Sequence, residues 1–386
     1  MKKIKVGALF LCFVIMLNSA CFSIEVEDVA TETNEVTTMT LDEAISYALK
    51  NNAGVVDINK TVKDQEDTYK DAKKAYRTWQ YDLKDGGYSY EEYYDYLTAH
   101  GHYLEMAEYA YNGFLAQKVG TEEIVKYSVK NMAFSIDELE KSFELLEKTV
   151  AKQEMDVKIA EVKCMLNMIT SFDVETAKQT LTSTKLQLES LKSTLNVLQA
   201  NLKSLMGFDV TKELEITIPE SELTILEVEN LAEVIENSLE TNSDAISAKV
   251  AYKQKEMQYI LATETHFLDR EGIRDAKKDF SDADMRLNNS LNVIKENLYA
   301  LYKEVKTNEE STILSKSEYE QLQIKYIQMK VMHELGMITT HDFNSYEIAL
   351  LNAKNTYESS LHKNILLNDR WNIALKVGDI LAKEEQ

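Results

Sequence analysis

The chain has 386 residues with a formal net charge of −22, 11 glycines and a single proline. Proline costs a helix interior about 3 kcal/mol and glycine about 1, so so little punctuation points to long helices. At 44% hydrophobic and 28% charged residues the composition is not that of a disordered chain, and the acidic excess argues against nucleic acid or anionic lipid as partner.

Residues 1–23 read as an export signal. Lys2, Lys3 and Lys5 precede an apolar run from Val6 to Leu17, and small residues follow. The run is too short for a comfortable membrane span. Cys21 is a candidate for lipid modification. Residues 24–38 are acidic and Thr-rich, and read as a flexible leader.

Order is predicted from Thr40, which forms a capping box with Glu43 at the head of a short helix, Leu41 to Lys50. Asn51 to Gly54 breaks it. A second helix follows on 3-4 spacing through Val55, Ile58, Val62, Tyr69, Ala72, Tyr76 and Leu83. Residues 76–111 hold 10 of the 21 tyrosines, interleaved with acids. They read as an insertion that either packs between helices or offers a surface to a partner or glycan.

From Val125 the heptads resume through Val129, Met132, Ile136, Leu139, Phe143, Leu146, Val150, Val157 and Cys164. At about 1.5 Å per residue that is about 60 Å of helix, a coiled-coil length. The phrase Met168-Ile169-Thr170-Ser171-Phe172-Asp173 follows. Thr170, with Asp173 three residues on, caps the next helix, which ends at Gly207. Residues 208–226 form a linker in which Leu214, Ile216 and Ile218 alternate with polar residues.

The pattern then repeats. Leu231, Glu233, Ile235, Leu239 and Asn242 align on Leu41, Glu43, Ile45, Leu49 and Asn52 at an offset of 190. Farther on, Ile294, Leu298, Leu301 and Val305 fall on Val125, Val129, Met132 and Ile136 at an offset of 169. The phrase Met337-Ile338-Thr339-Thr340-His341-Asp342 restates the earlier tip at that same offset. The chain therefore reads as two tandem copies, residues 39–207 and 227–378, with a tail at 379–386. The second copy is shorter opposite the tyrosine-rich stretch, where only the charged Leu268–Arg274 turn stands. The predicted fold is all-α: long antiparallel coiled-coil helices in two tandem structural repeats, with minimal β.

No site chemistry accompanies this pattern. His100 and His102 are too few for a metal site, and His333-Glu334 lacks the second histidine of a zinc-protease helix. No phosphate loop or nucleophile elbow is present. No enzyme activity and no cofactor are expected.

The capped Leu41–Asn52 helix, the tip pattern of Gly336, Thr339 and Asp342, and their tandem repetition resemble the TolC-like outer-membrane efflux proteins over residues 40–378. The resemblance implies a homotrimer whose chains each give four helical strands to a hollow helical barrel. It implies a β-barrel across the outer membrane, and tips that meet a periplasmic-type adaptor (membrane fusion) protein and an inner-membrane transporter. On that reading Gly336, Thr339, Thr340 and Asp342 form the partner-docking entrance, Thr170 and Asp173 are their first-copy counterparts, and Asp342 stands in an acidic ring. The chain departs from the pattern at Ala53, where proline is usual, and at Asn167, where glycine is usual. Each copy should supply two barrel strands of about 9–11 residues, but the second copy is too short there and heavily charged, and the first has the length yet reads Tyr-Glu-Glu-Tyr-Tyr-Asp-Tyr, too acidic for a lipid-facing band. The expectation is an exported conduit component of the cell envelope that has lost the bilayer-spanning part. The alternative is a cell-surface coiled-coil spacer or adhesion protein without a channel.

Overall fold

The structure is a computed structural model. It describes residues 36–84, 93–220, 222–264 and 269–378. The expected signal, Cys21, most of the leader and the tail lie outside these residues.

Strand β1 (Thr37–Thr40) leads into α1 (Leu41–Asn51) and α2 (Ala53–Lys84). Then come α3 (Tyr93–Ala99), the 64-residue α4 (His102–Met165) and α5 (Ser171–Met206). Strand β2 (Leu214–Thr217) opens the connection to the second copy. That copy holds α6 (Leu231–Thr241), α7 (Ser243–Glu264), the 65-residue α8 (Arg270–Glu334) and α9 (Thr340–Val377). Helices α1 and α6 have 11 residues each, and α5 and α9 have 36 and 38. The duplication read from sequence is therefore a duplication of elements. Helix α3 has no counterpart, and α7 is shorter than α2.

Each copy builds its core from the same positions. Val55, Val125, Val129, Leu202 and Met206 are buried together with Ala44 and Ala48 of α1. In the second copy Ala245, Ile294, Leu298 and Trp371 occupy the matching places, with Leu301 and Val305. Fully burying one such side chain is worth about 1.5–3 kcal/mol, so packing rather than propensity holds these helices.

Helix α4 packs against α5, α8 against α9, and α4 against α9. The four long helices thus run in the order α5, α4, α9, α8. Among the described residues α5 and α8 are the outer edges of this set.

Three sequence expectations are corrected. Residues 37 and 38, assigned to the leader, belong to β1, which pairs in parallel with β2 (Thr37 opposite Leu214, Thr40 opposite Thr217). Helix α4 begins at His102 rather than near Val125. The tyrosine-rich stretch takes the packing alternative: outside the His100–Gly101 turn its described residues are helical, and Leu97, Met257 and Leu261 are buried together, with Tyr96, Tyr103 and Tyr109 packed on them. Tyr96, Tyr103 and Tyr109 fill the space between α3, α4 and α7, whereas Tyr81 is exposed. The charged turn is also shorter than expected. Asp269 accepts from the Gly272 N–H and caps α8, so residues from Arg270 onward are helical.

Strand makes up 2% of the structure, and no closed barrel is present among the described residues. Only residues 265–269 lie between α7 and α8, and only 85–92 between α2 and α3. No described helix is long and apolar enough to cross a membrane.

Candidate functional site at the hairpin tips

Both hairpins turn by the same chemistry. Asn167 and Gly336, at matched positions, take left-handed backbone with φ of 57° and 71°. The Met168 N–H donates to the Lys163 carbonyl at 2.8 Å, and the Met337 N–H to the Met332 carbonyl at 2.8 Å. This six-to-one bond closes α4 and α8 as a Schellman motif. Glycine takes that backbone freely, whereas asparagine is one of the few other residues that tolerates it.

The following helices start on matched caps. The Asp173 N–H donates to Thr170 Oγ1 at 3.3 Å, and Asp173 Oδ2 accepts from the Thr170 N–H and hydroxyl at 2.8 Å each. At the second tip the Asp342 N–H donates to Thr339 Oγ1 at 3.1 Å, and the Thr339 hydroxyl donates to Asp342 Oδ2 at 2.7 Å. The Thr170 hydroxyl, then its N–H, holds the Asp173 carboxyl below the usual aspartate range. The Thr339 hydroxyl does the same for Asp342, with His341 adding to it.

The residues singled out in the sequence fall into two groups. Gly336, Thr339, Thr340 and Asp342 share one tip, and Thr170 and Asp173 form the other. Thr340 Oγ1 lies 3.1 Å from His333 Nε2, and the His333 ring stacks on Phe343 at 4.9 Å. His333 is thus part of the turn's packing.

Two features were missed by sequence reasoning. The first is an apolar crown. Met165, Leu166, Met168 and Phe172 on one tip, and Leu335 and Met337 on the other, are exposed, Phe172 at 76% and Met337 at 66%. The signal was present, since Leu166/Leu335 and Met168/Met337 are matched pairs. The second is a contact between the repeats: His341, in the first turn of α9, bonds Asp156 of α4 through Nε2. The Asn344 amide reaches Met155 Sδ beside it at 3.7 Å. Nothing local in the sequence marks a contact spanning 185 positions.

A long-helix hairpin repeated in tandem is the fold this chain shares with the TolC-like outer-membrane channels. Among solved structures the chain is similar to the outer membrane protein VceC of Vibrio cholerae, at 13% identity and a TM-score of 0.61, covering 88% of this chain and 96% of that one. It is similar to the CmeC outer membrane channel of Campylobacter jejuni at 11% identity, TM-score 0.62, over 93% and 94%. It is similar to the open state of the MtrE outer membrane channel of Neisseria gonorrhoeae at 12% identity, TM-score 0.62, over 92% and 96%. No protein-family profile and no curated protein sequence matches it.

Proposed function

We propose that this chain is one subunit of a TolC-like helical conduit for efflux or secretion in the cell envelope, closed as a homotrimer. The observation that carries this is the arrangement of seams. In the chain, α9 of one copy packs on α4 of the other. Because α8 matches α4 and α5 matches α9, the same seam is available between α8 of one chain and α5 of the next. Both edges carry exposed apolar residues: Leu186 and Val197 on α5, and Ile324, Ile327 and Val331 on α8. Joining edge to edge is a head-to-tail contact that generates a ring when the rotation closes. Three chains give twelve long helices, the number the resemblance implies.

On this reading the crowned tips dock a membrane-fusion adaptor and, through it, an inner-membrane transporter. Asp342 contributes an acidic ring at the entrance that favours cations. The short gaps between α2 and α3 and between α7 and α8 favour a tube that does not itself supply a membrane barrel.

A photo-crosslinking residue at Thr340 in cells tests the reading. Capture of an adaptor, with retention of a transported compound when the chain is deleted, supports it. Crosslinks to neither adaptor nor transporter, with export unchanged on deletion, would favour a coiled-coil spacer or adhesion protein instead.

A further inference from the structure

The α4–α9 seam is a ladder of charged rungs. Lys130 pairs with Asp369, Lys141 with Glu358 at 2.7 Å, and Lys148 with Glu347 at 2.7 Å. Two further rungs are made by histidines, both on α9. His341 Nε2 meets Asp156, whose other carboxylate oxygen accepts from Lys152 at 3.2 Å. On its own helix His341 Nδ1 lies 3.6 Å from Asp342, and α8 contributes His333, bonded to the adjoining Thr340. His362 is buried and stacked on Phe134 of α4 at 4.2 Å. Its Nε2 is 3.7 Å from Asp137 and its Nδ1 3.4 Å from Glu138, both on α4, and Nδ1 has no hydrogen-bond partner. Lys141 bridges Asp137 and Glu358, and Glu220 of the connector lines the same cavity.

We propose that these two rungs make the seam between the repeats a pH-dependent fastener. Imidazole gains its charge between about pH 8 and pH 5. An imidazolium at His341 faces Asp156 and Asp342, and one at His362 faces Asp137 and Glu138. Lys152 and Lys141 oppose this, but each is already engaged by a carboxylate. Protonation therefore tightens α9 on α4, and neutralisation loosens it. Burial disfavours the ionised form of Asp156, yet its bonds from His341 and Lys152 hold its carboxyl below the usual range. The matched residues of α5 are Phe172 and Ser193. The device is thus confined to the seam within the chain, and it does not rest on the conduit reading.

The test is the distance between the tips. Spin labels are placed at Met168 and Met337 in the full chain, with its native cysteines replaced by serine and diluted into unlabelled chain. The distance distribution is measured by double electron–electron resonance from pH 8 to pH 5.5. The wild-type distribution should narrow as the pH falls. H341Q/H362Q, which keeps polar side chains without the charge, should lose that response. D156N, which leaves both histidines in place, should weaken it. A wild-type distribution that does not change with pH would overturn the proposal, and so would a double variant that narrows as the wild type does. Circular dichroism confirms that each variant is folded, and D156N alone decides should the double variant fail.

Discussion

The side-chain amide of Asn52 donates to the carbonyl of Leu205 at 2.8 Å, tying the break between α1 and α2 to the end of α5. Its matched residue Asn242 makes the same bond to the Ala374 carbonyl, also at 2.8 Å. In both, the Asn Oδ1 accepts from the N–H three residues on, at Val55 and at Ala245. One side chain thus caps a new helix and pins the end of a distant one, twice.

Asn242 is fully buried, whereas Asn52 is partly exposed. Removing a buried partner strands donors and acceptors at about 1–3 kcal/mol. Asn242→Ala should cost about 2–3 kcal/mol and Asn52→Ala about 1 kcal/mol, read from the midpoint and slope of urea unfolding. Equal losses would mean that burial does not set the cost.

At the tips the same turn is built on two residues. A non-glycine side chain in left-handed backbone costs about 1–2 kcal/mol, less for asparagine. A Cβ at Gly336 would meet no atom within 4 Å, so Gly336→Ala measures backbone strain alone. It should destabilise by about 1 kcal/mol, while Asn167→Gly should be neutral or slightly stabilising. Thermal unfolding of the pair checks the sign of each.

The tip caps carry a pH signature of their own. Asp173 and Asp342 have carboxyls held below the ordinary value of 3.8 by their threonines. A depressed carboxyl stabilises above its unfolded value, and that stability is lost as pH falls through the folded one. Amide exchange at Asp173 and Asp342, corrected for intrinsic rates, should accelerate below about pH 4 in the wild type. It should be fast at all pH values in Thr170→Ala and Thr339→Ala, each at its own tip.

Most of this architecture was legible in the residues. Capping boxes, heptad tracks and the repeated tip phrase are local signals, and they located α1, α6, both tips and the duplication. The β1–β2 pair was half legible. Leu214, Ile216 and Ile218 alternate, but nothing in Thr37–Thr40 says that it pairs 177 residues away. The early start of α4 was hidden by tyrosines, which favour neither helix nor loop strongly. The His341–Asp156 bond was invisible for the same reason as β1: it joins segments that only the fold brings together.

One gap in a heptad track was meaningful. Leu139, Phe143, Leu146 and Leu191 of the first copy are replaced by Asn308, Thr312, Ser315 and Ser360 in the second. Thr312 is fully buried and donates to the Asn308 carbonyl at 2.8 Å and the Ser360 carbonyl at 3.2 Å. Ser315 and Ser360 hydroxyls meet at 2.9 Å. The short side chains let α8 and α9 bond across their seam. Thr312→Val should cost about 1 kcal/mol through the lost hydroxyl, and Thr312→Phe, the first-copy residue, should cost more by overpacking, about 1–3 kcal/mol. A gain with phenylalanine would mean that the polar seam is not closely packed.

The central claim is that α8 joins α5 of a second chain as α4 joins α9 within one. The Asn355 amide reaches the Lys141 carbonyl across the known seam at 3.1 Å. Moving both by the 169-residue offset places Leu186 of one chain beside Glu310 of the next. Oxidising a Leu186→Cys/Glu310→Cys chain, with the native cysteines replaced by serine, should yield a covalent trimer and nothing larger. Chains that remain monomeric under oxidation, or that extend into an open series of ever larger products, would contradict the closed ring.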